Sequence, residues 1–263
     1  MRDAEPKSFL RPGKVLLLVL FGVLVYLPAL VFLVPAGWAW QQVSGQVSLP
    51  AQVRVQQVAG QVWDGSAGLV VAGFPLRLDW QLGWPSLTGL EWPVELSVAS
   101  AQSSLDGEVT LGWPGNARLT AKGLIAVSEF GELIRRSGGA MIEGNVTVDR
   151  LHLAWADNRV TRADGLARWA GGNVTWPMGN QTGQARFPPM QASLGTTDGG
   201  IELTVSEQGG AGPAAEASIL WNGMMEVRVY KRMVDLAGQP WPDSASPDDV
   251  IFRVRQPLLP GGL

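Results

Sequence analysis

Two periodicities divide the chain. From Val15 to Val34 the sequence VLLLVLFGVLVYLPALVFLV runs for twenty residues without a charge, about the length of helix that crosses roughly 30 Å of hydrocarbon. Beyond Pro35 the apolar positions recur every second residue instead. Leu76-Arg77-Leu78-Asp79-Trp80-Gln81-Leu82 alternates without a fault, as do Val94, Leu96, Val98; Val109, Leu111, Trp113; Ala117, Leu119, Ala121; and Ile201, Leu203, Val205. Period two puts one row of side chains on an apolar layer and the other in water, so each run predicts a half-buried strand. Between Val146, Val148 and Leu151, Leu153, Trp155 the phase slips by one residue, which predicts a β-bulge around Asp149 and Arg150.

Turn signals separate the runs: Gly83-Trp84-Pro85, Trp113-Pro114-Gly115-Asn116, Asp164-Gly165, Trp176-Pro177 and Asp198-Gly199-Gly200. One segment, Ser128 to Arg136, predicts a helix with Ser128 as N-cap and Phe130, Leu133 and Ile134 as its buried stripe. Met224 to Ala237 fits helix or strand, and Val227-Arg228-Val229-Tyr230 favours strand. Glu207 to Ala215 and Ala237 to Asp249, rich in Gly or Pro, predict loops. The expected fold is mainly β: one N-terminal transmembrane helix, then an antiparallel, curved sheet or roll with one short helix. The expected bounds are a cytoplasmic N-terminus at 1–14, the anchor at 15–35, a periplasmic β domain at 36–256 and a frayed terminus at 257–263.

Charge orients this arrangement. Arg2, Lys7, Arg11 and Lys14 precede the span, and the next charge after it is Arg54, so the positive-inside rule keeps the N-terminus in the cytoplasm. A cleaved signal peptide has a shorter apolar region and a small-residue exit. Here the exit is Pro35-Ala36-Gly37-Trp38-Ala39-Trp40, whose tryptophans suit a membrane surface. The expected location is therefore a bacterial inner membrane, crossed once, with the β domain in the periplasm.

Composition narrows the chemistry. There is no cysteine, which removes disulfides, thiolate metal sites and cysteine nucleophiles. His152, the single histidine, sits on the polar phase of Leu151-His152-Leu153 and reads as an exposed strand residue. The net charge of −3 argues against nucleic acid as a partner. Carboxylates are scattered singly, with no pair placed for acid and base work. The expectation is no enzyme activity, no catalytic residue, no cofactor and no metal. Twelve tryptophans stand out. Trp80, Trp113 and Trp155 continue the apolar phase of their strands and are expected in the core, whereas Trp84, Trp92 and Trp241, near prolines, are candidates for an exposed contact surface.

A family resemblance rests on two blocks. Gly60-Gln61-Val62-Trp63-Asp64-Gly65-Ser66-Ala67, followed by an alternating strand to Trp80 and then Pro85-Ser86-Leu87, resembles the signature of the type II secretion system protein N family. Gly165-Leu166-Ala167-Arg168-Trp169-Ala170-Gly171-Gly172 is similar to that family's second block, and Trp63-Asp64-Gly65 and Trp169-Ala170-Gly171 read as a weak internal repeat. The resemblance covers about residues 15–235. It implies a non-catalytic inner-membrane component of the machinery that exports folded proteins from the periplasm, with other inner-membrane subunits of that system as partners and lipid around the anchor. The motif residues Trp63, Asp64, Gly65, Trp80, Gly165, Trp169, Gly171 and Gly172 then have structural roles. The rival reading is a periplasmic lipid-handling protein of the AsmA-like or lipopolysaccharide-transport-like kind, with an apolar groove along a curved sheet. An envelope hydrolase is a distant third.

Overall fold

The computed structural model describes residues 18–24, 26, 33–46, 49, 53–71, 73–86, 89–113, 115–136, 140–157, 159–178, 181–241 and 244–257. Most of the expected span lies outside them, as does 258–263 of the expected frayed end. Among the described residues no helix is long and apolar enough to cross a membrane. Contacts divide the chain into two units, Met1–Phe74 and Pro75–Leu263.

The first unit holds a helix and a hairpin. Helix α1 (Ala36–Val43) is followed by strands β1 (Val53–Gly60) and β2 (Asp64–Val71), paired antiparallel. Residues 18–24 are also helical. The hairpin tip is bound to the chain just before α1: Pro35 pairs with Gln61, and the Val62 N–H donates to the Val34 carbonyl at 3.2 Å.

The second unit is a sheet of consecutive hairpins. Its strands are β3 (Phe74–Leu82), β4 (Glu91–Ala99), β5 (Ser104–Gly112), β6 (Asn116–Ala126), β7 (Met141–Ile142), β8 (Asn145–Ala156), β9 (Arg159–Trp169), β10 (Gly172–Met178), β11 (Gln181–Phe187), β12 (Met190–Thr197), β13 (Gly200–Glu207), β14 (Pro213–Leu220), β15 (Met224–Tyr230) and β16 (Val250–Pro257). The order β3-β4-β5-β6-β8-β9-β12-β13-β14-β15-β16 makes the main sheet, while β11-β10-β7 forms a small second one. Two short helices, α2 (Gly131–Arg136) and α3 (Lys231–Leu236), complete the unit.

The antiparallel β class expected from the alternation is present, but the expected roll is not. Each hairpin adds its strand beside the last, which extends the sheet in one direction, and β16 pairs with β15 alone among the described residues.

Register makes this sheet two-faced, because residues directly opposite on neighbouring strands point to the same side. One row across all eleven strands reads Trp80, Leu96, Gly107, Ala121, Leu151, Gly165, Leu194, Leu203, Ala217, Val227, Val254, without a polar side chain. One step along the strands the row Gln81, Glu95, Glu108, Thr120, His152, Asp164 faces the other way. His152 is exposed within it. The expected slip is real: register shifts between Val148 and Arg150, leaving Asp149 without an opposite residue.

Burial is uneven along the apolar face. None of the described side chains of β3, β4 or β5 is fully buried. The core lies farther along, where Trp169, Val174, Phe187, Met190 and Ala214 pack between the main and small sheets.

Several local expectations need correction. Trp113 is 75% exposed rather than core, because β5 ends at Gly112 and the ring falls in the turn. Asp164-Gly165 lies inside β9 and Trp176-Pro177 inside β10. Gly165 is there for closeness, since a Cβ would stand 3.2 Å from that of Leu194. Pro177 is tolerated because, among the described residues, β7 pairs with β10 only at Val174 and Thr175, leaving the strand's end at an edge. Ser128 is not an N-cap: the segment opens as a 3-10 turn, Val127–Phe130, capped at Ala126 without a side-chain bond. Met224 to Ala237 is both strand and helix, β15 running into α3.

Instead of Ser128, Glu129 secures that turn. Its carboxylate accepts from the hydroxyls of Ser100 and Ser103 and, at 2.6 Å, from the Gln102 N–H. Those hydroxyl bonds hold the carboxyl below its usual range, and Arg168 does the same for Asp149. A carboxyl depressed in the folded state stabilises it above the unfolded pKa, about 4, and loses that contribution as pH falls through the folded value. Thermal melts are therefore expected to drop on acidification below about pH 4, and Glu129→Gln should shrink that drop. Equal acid sensitivity in wild type and variant would contradict this role.

Candidate functional site

The two sequence blocks form two different corners. In the first, Gly60 has φ +81° and a Cβ there would lie 2.6 Å from the Asp64 carbonyl oxygen, so the tip closes only around glycine. Gly65 pairs opposite Gly60. Trp63 is half-buried, and Asp64 is exposed at the start of β2. This corner meets α1, whose Ala36 is buried and whose Gly37 admits Val58 closely. Trp80 is half-buried in the apolar row of β3.

In the second block Gly165 lies within β9, Trp169 ends it, and Gly171-Gly172 carries the chain from the main sheet into the small one. Gly171 has φ +82°, and a Cβ would stand 2.7 Å from the Phe187 carbonyl oxygen. Trp169 is buried, and its indole N–H donates to the Glu143 carbonyl at 2.7 Å, which fixes the approach to β8. Beside it Arg168 bridges to bulged Asp149, its Nε donating at 2.6 Å. The internal repeat is therefore one of letters rather than geometry: Gly65 is a paired strand residue and Gly171 a positive-φ corner.

Behind this corner is a cavity of about 800 Å³. Its walls are Val146 of β8, Trp169 of β9, Val174 and Trp176 of β10, Phe187 of β11, Met190 of β12, Val205 of β13 and Met233 of α3, with Pro240 and Trp241 from the following loop. Polar lining is limited to Arg168, Gln191 and Gln239. Sequence reasoning singled out Trp169 and Trp241 and missed the rest, which come from segments more than ninety residues apart. Trp84 is 81%, Trp92 40% and Trp241 42% exposed. Trp84 lies in the loop before β4 and Trp92 on β4, so neither joins Trp241 at the cavity.

No group of three or more His, Asp or Glu placed to hold a metal occurs among the described residues. The strongest charge cluster is an ion-pair ladder, in which Arg228 reaches Glu202, Glu216 and Glu226 at 3.2, 3.1 and 3.3 Å. Tyr230 donates to Glu216 at 2.6 Å. Burial and that bond push its phenol up.

Compared with known families, residues 51–241 match the model of type II secretion system (T2SS), protein N. The match takes in both blocks and ends at Trp241, the last residue of the cavity wall. The chain belongs to the T2SS protein N family. Membership places it in type II secretion. Comparison with curated proteins and with solved structures gave no match. The cavity and the small sheet lie within the matched part, while β16 lies beyond it.

Proposed function

We propose that this chain is a non-enzymatic inner-membrane component of the type II secretion system, anchored once through residues 15–35, with its β units in the periplasm where they support export of folded proteins. The family match carries the secretion role. Support for the anchor comes from the helical residues 18–24, where Leu18, Val19, Leu20, Phe21, Val23 and Leu24 are each between 48% and 66% exposed. Leaving apolar surface in water forgoes about 25 cal/mol per Å², and hydrocarbon is the surrounding that recovers it. The four basic residues before the span favour a cytoplasmic N-terminus.

Other inner-membrane subunits of the system are the proposed partners. The edge strand β16 and the exposed Trp84 and Trp92 are surfaces on which they could bind, strand addition being a common mode. A tagged full-length chain extracted gently from secreting cells is expected to retain other secretion subunits. Recovery of the chain alone, from cells in which those subunits are abundant, would count against the proposal.

A further inference from the structure

The cavity has no part in the reading above, and its walls specify a ligand class. We propose that it holds a long acyl chain. Most of the enclosing side chains are aliphatic or aromatic; Trp169 N–H is committed to Glu143 and Arg168 to Asp149, which leaves the uncharged amides of Gln191 and Gln239 as the other polar lining. Such a site offers an occupant dispersion and shape rather than hydrogen bonds.

Water is a poor occupant, because it needs two to four polar partners. An extended peptide is also poor, since two glutamine side chains cannot satisfy the run of amides it would bury. A hydrocarbon chain brings no polar group to satisfy. A methylene takes up about as much space as a water molecule, roughly 30 Å³, so the 800 Å³ cavity has room for about 27 of them, enough for one long acyl chain. Met190 and Met233 in the wall are unbranched and adaptable, which suits a flexible guest. The apolar rows continue from the cavity across β13 to β16 through Val205, Ala215, Val229 and Phe252, with Phe252 exposed. The chain therefore has an apolar path by which to enter. Its head group stays outside, since the lining holds no uncommitted charge.

The chain's source follows from the proposed membrane anchoring; the site itself does not depend on it. The test feeds cells expressing full-length protein with diazirine-bearing palmitate, irradiates them and maps the labelled peptides by mass spectrometry. Label is expected on peptides within residues 167–192 and 229–241, and should fall about tenfold in Ala192→Phe, which fills the cavity from β12. Val205→Phe is the second filling variant, with thermal melts showing that each folds. Leu119→Phe, on the same face away from the cavity, should leave the label unchanged. The attached mass separates the sources, phospholipid or free fatty acid, and either supports the acyl site. Label confined to residues 15–34 overturns it, as does label at the cavity that folded filling variants leave intact. Cavity label on a chain that fractionates as soluble would sink the anchor and keep the site. A membrane-bound chain with no cavity label would do the reverse.

Discussion

Trp169→Ala is expected to cost about 3–5 kcal/mol, the range for truncating a buried aromatic. The indole is 7% exposed at the centre of the core between the two sheets. Its N–H is also the bond that ties β9 to Glu143, so removal leaves that carbonyl without this donor as well as opening a void. Equilibrium urea unfolding of the full chain, followed by circular dichroism, measures the loss. Trp84→Ala, on a ring that is 81% exposed, should change stability by no more than about 0.5 kcal/mol. Similar losses in both variants would mean that the second sequence block does not organise the core.

Gly171→Ala is expected to be the second most damaging change. Strain at a positive φ costs about 1–3 kcal/mol by itself. Here the new methyl also meets backbone, with the Phe187 oxygen and the Pro188 carbonyl carbon each at 2.7 Å, and backbone cannot swing aside as a side chain can. The small sheet must shift, and the cavity with it. Gly195→Ala on β12, where a Cβ finds nothing within 4 Å, is the matched control and should stay within about 0.5 kcal/mol of wild type. A Gly171→Ala protein as stable as that control would contradict the corner's geometry.

What could be read from the sequence was whatever repeats locally. Leu76 to Leu82 shows its two faces in seven letters, and the slip at Asp149 and Arg150 betrays the bulge, because alternation is a property of one strand at a time. Where strands stop is decided elsewhere. Trp113 kept the phase of its strand and still fell in the turn. Gly165 carried a turn signature but serves contact with Leu194 across the sheet. The helix start at Ser128 followed the usual capping rule, yet Glu129 secured the turn through serines some 26 to 29 residues away.

The cavity was the least legible feature. Its walls are brought together by β7, β10 and β11, and β7 has only two residues, too few for any period. β16 was also missed. Arg253 and Arg255 alternate with Val254 in a short run between a proline-rich loop and the expected frayed end, and its order comes from pairing with β15. The motif residues were found because two short blocks resembled a family, and the structure then supplied the reason for Gly171 and Trp169.

The central claim is that an apolar N-terminal segment holds the β units on the periplasmic side of the inner membrane. Protease added to spheroplasts tests it most directly. The expected result is digestion of everything after about residue 36, with a short N-terminal fragment remaining in the membrane through alkaline carbonate. Full-length chain that resists protease until the inner membrane is lysed, or that leaves with the soluble fraction, would contradict it.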